Sequence, residues 1–156
     1  MKKRLIIIST ITFFLCTSCR NKVDKGIIGW WSMDTIYYKG YDIKYCLWLN
    51  TISFRKNSCE FEETNGNCLD INESGKYGTW KVNTDNIPYT LEIRSENKIF
   101  DGKHTIKFKR DDGNKLLKME IESDSLYIVC RKGLFNYKEN EKLINELVEE
   151  DSVTSN

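Results

Sequence analysis

Apolar and polar residues alternate along much of the chain, and the alternation is clearest in its second half. From Leu117 to Glu122 every apolar residue is followed by a charged one, and Tyr89–Arg94 and Ile106–Lys109 repeat the pattern with polar partners. Successive side chains of a strand point to opposite faces, so a period of two predicts strands with one buried and one solvated face. Such strands are typical of an antiparallel sheet.

Turn residues divide the alternating runs into short segments. Asn65-Gly66, Asp101-Gly102 and Asp112-Gly113 suit tight hairpins, because these residue types accept a positive φ. The predicted strands are Trp31–Tyr38, Lys44–Phe54, Ser58–Glu63, Lys76–Asn83, Tyr89–Ser95, Thr105–Arg110, Lys115–Glu122 and Ser125–Arg131.

Closure of the sheet follows from the cost of its edges. Eight antiparallel strands with short links expose two edges unless the sheet closes on itself. We therefore predict an all-β fold, an antiparallel eight-stranded up-and-down barrel. A two-sheet β-sandwich satisfies the same alternation and is the alternative.

The last element has a different period. Within Asn140–Glu150, apolar residues recur at helical spacing and glutamates occupy most of the remaining positions. This pattern predicts one C-terminal amphipathic helix that packs on the outside of the sheet or plugs one end. Its apolar stripe consists of Leu143, Ile144, Leu147 and Val148.

The first eighteen residues have the features of a signal peptide. Met1–Arg4 is basic, and Leu5–Cys16 is mostly apolar. At about 1.5 Å of rise per residue this run reaches roughly 18 Å, well short of the ~30 Å hydrocarbon core, so a spanning helix is not expected. The following Leu15-Cys16-Thr17-Ser18-Cys19 resembles the signal of bacterial lipoproteins, in which small residues precede the cysteine that becomes the new amino terminus.

This resemblance implies that Cys19 is the lipid-attachment residue. Its thiol would carry a diacylglycerol, and further acyl chains such as palmitate would hold the protein firmly at a bilayer. The implied organisation is a signal peptide at 1–18, a lipidated N terminus and tether at 19–26, a barrel domain at 27–150 and a polar tail at 151–156. We expect a bacterial membrane lipoprotein on the periplasmic side of the outer membrane.

Charge gives little information about partners. The chain has 24 Lys and Arg against 23 Asp and Glu, well mixed along its length. Removal of the basic signal would leave the mature chain slightly acidic. Without a basic stripe, nucleic acid is not an expected partner.

Four further cysteines follow the signal: Cys46, Cys59, Cys68 and Cys130. Export to an oxidising compartment permits disulfides, and four cysteines allow three pairings. Cys46 and Cys130 both fall on the predicted inner face, which favours a bridge between them. Cys59 and Cys68 are predicted to close a wide loop, and a two-residue Asn65-Gly66 hairpin is the competing arrangement. The four contain no C-x-x-C pair, so no metal site is predicted.

The segment Gly29-Trp30-Trp31, just before the first predicted strand, fits the triplet G-x-W. In this position it resembles the opening motif of lipocalins, and more closely the lipocalin-like domains of bacterial lipoproteins. The resemblance implies that Trp31 lies across the closed end of the barrel and that an arginine from the last strand packs over its ring. Arg131 is the candidate arginine.

The resemblance also implies a cup that can hold a small apolar or amphipathic ligand. Several large aromatic residues fall on the inward parity, and inside an eight-stranded barrel they either line a pocket or fill it. Core packing is favoured over ligand contact, which predicts a small or shallow cavity. The candidate lining residues are Trp48, Phe54, Trp80, Tyr89 and Phe108.

Catalytic motifs are scarce. His104 is the only histidine and is predicted to be an exposed turn residue, so a catalytic triad is not expected. Neither a phosphate-binding glycine loop nor a calcium loop is evident in the sequence. We predict a protein that is not an enzyme and has no cofactor. The first hypothesis is a membrane-anchored lipocalin-like module that binds a small apolar ligand. The alternative is a structural or protein-interaction lipoprotein with a filled barrel, acting on an envelope protein partner.

Overall fold

A computed structural model describes residues 22–64, 75–111, 116–132 and 137–152, with side chains from 141 to 148 in the last range. Residues 22–27 form a short helix, α1. The strands are β1 (Gly29–Tyr38), β2 (Tyr41–Asp42), β3 (Thr51–Phe54), β4 (Ser58–Phe61), β5 (Tyr77–Asn83), β6 (Tyr89–Ser95), β7 (Gly102–Asp111), β8 (Leu116–Glu122) and β9 (Leu126–Lys132). A 3-10 helix spans Lys44–Cys46, and α2 spans Tyr137–Ser152.

The strands form one closed antiparallel sheet. Its order is β2-β1-β3-β4-β5-β6-β7-β8-β9, and an additional pairing of β1 with β9 joins the two ends. All neighbours are antiparallel, and β2 is an extra hairpin strand on β1 outside the ring of eight. The predicted up-and-down barrel with a C-terminal helix is therefore confirmed, and the sandwich alternative is wrong.

The predicted strand Lys44–Phe54 is the main error in the element assignment. Its first part is the 3-10 helix and an irregular connection, and only Thr51–Phe54 pairs with β1. Asn50 adopts a φ of 51°, which no strand residue has and which turns the chain just before β3. The hydrophobic alternation of this segment therefore does not indicate a strand, because its apolar residues divide between the core and the solvent-exposed surface.

Large side chains from around the ring are buried in the barrel interior. Phe61 stacks on Phe100 with ring centroids 4.4 Å apart, and Phe54 meets Trp80 edge to face at 5.6 Å. Offset and edge-to-face pairs of this kind add about 0.5–1.5 kcal/mol beyond the area they bury. The largest fully buried side chains are Trp31, Phe54, Phe61, Phe100, Phe108, Ile27, Met33, Ile36, Ile43, Ile52, Leu91 and Ile93.

The two helices cover the end of the barrel at which β1 begins, called here the helix end. Gly26 of α1 lies between the two: a Cβ built on it would be 2.5 Å from Cδ1 of Leu147 and 3.5 Å from Cζ of Phe108. Leu147 and Ile144 of α2 and Val23 of α1 are buried. Part of the predicted tether, residues 22–26, therefore packs against the barrel.

The opposite end, the loop end, is covered by two connections. Ile43, Cys46 and Leu47 of the β1–β3 connection are buried, as are Ile99 and Phe100 between β6 and β7. Leu47 also forms an isolated antiparallel bridge with Thr64. Side chains from the chain itself thus occupy both ends of the barrel.

Truncation of Leu147 tests whether α2 belongs to the core. We expect Leu147→Ala to lower the free energy of unfolding by about 2–5 kcal/mol, because the side chain is fully buried and leaves a cavity. Urea unfolding followed by circular dichroism measures the change. Lys142→Ala on the same helix, with an 80 % exposed side chain, is the control and should change stability by less than about 0.5 kcal/mol. If Leu147→Ala changes the free energy of unfolding as little as Lys142→Ala does, α2 does not contribute to the core.

Candidate functional site

Trp31 lies at the helix end of the barrel, as the G-x-W resemblance predicted. It is the third residue of β1, and the alternation of that strand directs its ring inward, where it is fully buried. Its Nε1–H donates a hydrogen bond of 2.7 Å to the carbonyl oxygen of Ile27. A buried indole N–H needs such a partner, and the last residue of α1 supplies it.

Lys132, the last residue of β9, is the cation that meets Trp31. The two residues are register partners across the β1–β9 pairing that closes the barrel. Nζ of Lys132 lies 5.4 Å from the centroid of the Trp31 ring and donates to the carbonyl oxygens of Lys25 (3.0 Å) and Gly26 (2.5 Å). These carbonyls belong to the C-terminal turn of α1, where a positive charge is favoured. Burial nevertheless lowers the pKa of the Lys132 ammonium to about 8.

Gly29 permits this approach. It adopts a φ of +137°, and a Cβ at this position would lie 3.1 Å from Cε of Lys132. A side chain would therefore be strained in its backbone and crowded against the lysine stem. The glycine of the G-x-W triplet is thus explained by the lysine that passes over it.

The prediction that Arg131 packs over Trp31 is wrong by one residue. Residues alternate along β9, so Arg131 points outward and Lys132 inward. Arg131 donates from Nε and Nη2 to the two carboxylate oxygens of Asp34, each at 2.6 Å, at a register shift in β1. This pair raises the pKa of the guanidinium. Leu126, Ile128 and Cys130 alternate with outward residues, and continuing this alternation by two positions predicts that the side chain of Lys132 points inward.

Removal of the indole N–H tests the bond to α1. Trp31→Phe keeps most of the buried ring but leaves the carbonyl of Ile27 without this donor, so we expect a loss of about 1–3 kcal/mol plus the cost of the smaller ring. Thermal and urea unfolding measure the change. The adjacent Trp30→Phe, at a 54 % exposed ring, is the matched control and should be nearly neutral. Two equal losses would rule out a special role for Trp31.

Alkaline titration tests the burial of Lys132. The folded protein releases the Lys132 proton near pH 8 and the unfolded chain near 10.5, so the folded state gains relative stability as the pH rises between these values. The gain is at most about 3 kcal/mol. Unfolding free energies of the wild type and Lys132→Met are compared across this range, with exposed Lys81→Met as control. If the difference between wild type and Lys132→Met does not change with pH, Lys132 is not held in a buried, charge-disfavouring position.

The predicted cavity-lining residues divide into two groups. Phe54, Trp80, Tyr89 and Phe108 are buried, and Nε1–H of Trp80 donates to the carbonyl of Arg55 at 2.6 Å. Trp48 is 73 % exposed, so its prediction as an interior residue is wrong. The cause is the irregular connection described above: after the 3-10 helix the parity of a strand no longer applies.

His104 is also placed differently from its prediction. It lies inside β7, not in a turn, and its side chain is buried. Its Nε2 is 2.9 Å from the carbonyl oxygen of Phe100 and must donate to it, while Nδ1 has no hydrogen-bond partner among the described residues. Burial is the main reason that the pKa of His104 is lowered. The imidazole therefore holds the loop that carries Phe100 against the barrel.

The cysteines do not pair as predicted. Cys59 and Cys130 are buried free thiols, so neither the Cys46–Cys130 nor the Cys59–Cys68 bridge is formed. Cys68 itself lies outside the described residues. Burial raises the pKa of Cys59 to about 12 and that of Cys130 still further, and Cys130 Sγ contacts the carbonyl of Met119 at 3.3 Å. Cys46 is disulfide-bonded.

Thiol labelling tests this assignment. We expect Cys59 and Cys130 to react with iodoacetamide only after unfolding, because buried thiols with raised pKa values contain very little thiolate. Peptide mass mapping of non-reduced protein should find Cys46 only in a cross-linked peptide. Rapid labelling of Cys130 in the folded protein would show that the β8–β9 interior is open to solvent.

Two grooves lie on the outer surface of the described part of the chain, and one of them is mainly polar. One, of about 590 Å³, lies over β5, β6 and β7 and is lined by Lys81, Asn83, Asp85, Glu92 and Lys103 among others. A second, of about 440 Å³, lies at the loop end near His104 and Asp124. Within the described part of the chain, no group of three or more His, Cys, Asp or Glu is placed to hold a metal ion.

Comparison with protein-family models, with curated proteins and with solved structures finds no match for this chain. These comparisons do not bear on the lipocalin resemblance of Gly29-Trp30-Trp31, which stays a prediction. Among the described residues, none of the helices combines the length and the apolar composition that a bilayer crossing requires.

Proposed function

We propose that this protein is a lipid-anchored, lipocalin-like lipoprotein of the bacterial envelope whose filled barrel acts as a non-enzymatic structural or protein-interaction subunit. The observation that carries this proposal is the packing of the described interior. Phe61 and Phe100 stack at the loop end, and Phe54 and Trp80 meet near the helix end. Such contacts leave the outer surface as the part that meets partners.

The lipid anchor is supported by the position of α1. Cys19 of the L-C-T-S-C signal precedes Lys22, the first residue of α1 that the structure describes, by three positions. Lys132 and Trp31 bind the carbonyls at the other end of this short helix. An acylated Cys19 would therefore be joined to the barrel through a segment that is itself fixed to the barrel.

The ligand-binding hypothesis has weaker support. Four of the five candidate lining residues are buried in the core, and the fifth, Trp48, lies outside it. A barrel that binds an apolar ligand keeps an apolar pocket open, whereas Phe54 contacts Trp80 and Phe61 stacks on Phe100 inside this one. We therefore favour the filled-barrel function, on the periplasmic side of the outer membrane.

Mass spectrometry of protein extracted from its own membrane tests both parts of the proposal. Intact mass should correspond to a chain that begins at Cys19 and carries acyl chains, and Cys19→Ser should remain unacylated and leave the membrane fraction. Native mass spectrometry should show protein without a retained small molecule. A chain that begins elsewhere without an acyl group would refute the anchor, and a stoichiometric apolar ligand would restore the binding hypothesis.

A further inference from the structure

Exposed apolar residues are concentrated in one part of the described chain. Seven of the nine large hydrophobic side chains exposed among the described residues lie between positions 28 and 49. Tyr45, Trp48 and Leu49 are the most open of these, at 65, 73 and 69 % exposure. We call this set the apolar flank; its members are Ile28, Trp30, Tyr37, Tyr41, Tyr45, Trp48 and Leu49.

The apolar flank lies along one side of the barrel. Trp30 and Tyr37 point outward from β1. The β1–β3 connection returns beside the same strand: the amide of Ile43 donates to the carbonyl of Ile36 at 3.0 Å, and the amide of Met33 donates to that of Asn50 at 2.7 Å. Tyr45, Trp48 and Leu49 are therefore held next to β1.

The connection that carries these side chains is well fixed. Nζ of Lys44 donates to the carbonyl of Asp34 at 2.7 Å, and Ile43, Cys46 and Leu47 are buried. Inward residues thus hold the segment while its neighbours Tyr45, Trp48 and Leu49 face solvent. A surface that is ordered before it meets a partner loses less conformational entropy on binding.

The opposite side of the barrel is polar. In the ring of eight strands β6 is the fourth neighbour of β1 in both directions, so it lies across the barrel from β1. The outer face of β6 carries Glu92 and Arg94, and Glu92 accepts from Lys81 and from Arg94 at 3.0 Å. The polar groove over β5, β6 and β7 belongs to the same side. Most of the exposed large hydrophobic side chains are therefore on the β1 side and charged pairs are on the β6 side, where Tyr77 and Ile87 are the two exposed large hydrophobic residues among those described.

The chain that precedes α1 identifies what covers the apolar flank. Cys19 is three residues before Lys22, a distance of at most about 11 Å. Residues 22–27 then lead directly into Ile28 and Trp30. A lipid on Cys19 therefore brings the bilayer next to the strand from which the apolar flank begins.

We propose that the apolar flank rests in the headgroup region of the bilayer that holds the anchor, with β6 facing the aqueous phase. Trp and Tyr are the residues enriched at membrane–water interfaces, where an apolar ring and a polar tip are both satisfied. Lys39 lies in the same segment and can meet anionic headgroups. This inference rests on the proposed lipid anchor and adds a second contact to it.

Tryptophan fluorescence tests the orientation. Full-length protein carrying Trp30→Phe is reconstituted into phosphatidylethanolamine–phosphatidylglycerol vesicles, so that Trp48 is the one exposed tryptophan of the three that remain. Lipids brominated near the glycerol end of their acyl chains should remove most of the Trp48 emission. Vesicles should also cause a several-fold loss of its quenching by acrylamide, relative to protein in detergent-free buffer.

A tryptophan on the opposite side is the matched control. Arg94→Trp, at a 74 % exposed side chain on β6, is introduced together with Trp30→Phe and Trp48→Phe. Its emission should be insensitive to brominated lipid and fully open to acrylamide. The same protein without Arg94→Trp gives the background from buried Trp31 and Trp80.

The intact mass and vesicle flotation of each sample separate this inference from the anchor. Acylated protein that floats while Trp48 stays open to water overturns the docking and leaves the anchor intact. Protein without an acyl group that floats with Trp48 shielded supports the docking and refutes the anchor. Protein that is neither acylated nor floats overturns both. Shielding of Trp48 in native envelopes but not in lipid vesicles would indicate a protein partner and overturn bilayer docking.

Discussion

The side chains of Trp31 and Lys132 join the end of α1 to the seam of the barrel. They face each other across the β1–β9 pairing that closes the sheet, and together they donate to three successive carbonyls, those of Lys25, Gly26 and Ile27. The last carbonyls of a helix have no partner within it, and burying them without a donor would cost about 1–3 kcal/mol each. Closure of the sheet and docking of α1 therefore depend on each other.

Burial of the Lys132 ammonium has a free-energy cost, which its neighbours offset in part. Lys132 loses most of its hydration, which lowers its pKa to about 8. Two carbonyl oxygens and the face of the Trp31 ring compensate in part, with a cation–π contribution of about 0.5–1 kcal/mol or more when desolvated. Gly29 is favoured because its φ of +137° is one that other residues rarely adopt, and because a Cβ would lie 3.1 Å from Cε of Lys132. Gly29 and Trp31 of the G-x-W triplet thus both contribute to the packing of the helix end, whereas the side chain of the middle residue, Trp30, faces outward.

The exposed aromatic residues are not part of the barrel core. Side chains from both ends of the barrel are buried in its core, and the exposed aromatic residues lie on the outer face. That face carries Trp30 and Tyr37 beside the Asp34–Arg131 ion pair along β1, and charged pairs along β6. The proposed anchor would favour the orientation that buries the exposed Trp and Tyr side chains.

Patterns in the amino-acid sequence were enough to identify the strands from β5 to β9, the up-and-down barrel and the C-terminal helix, because period-two and helical patterns are local properties of the chain. Inward parity also identified Phe54, Trp80, Tyr89 and Phe108 as buried, and the G-x-W resemblance placed Trp31 at a closed end. The parity of β9 directs the side chain of Lys132 inward, but its contact with Trp31 depends on the register between β1 and β9, about a hundred positions apart. Contacts with distant strands also place Trp48 outside the core and His104 inside a strand. These positions lie at or near chain reversals, where alternation stops and contacts with distant strands choose the direction of each side chain.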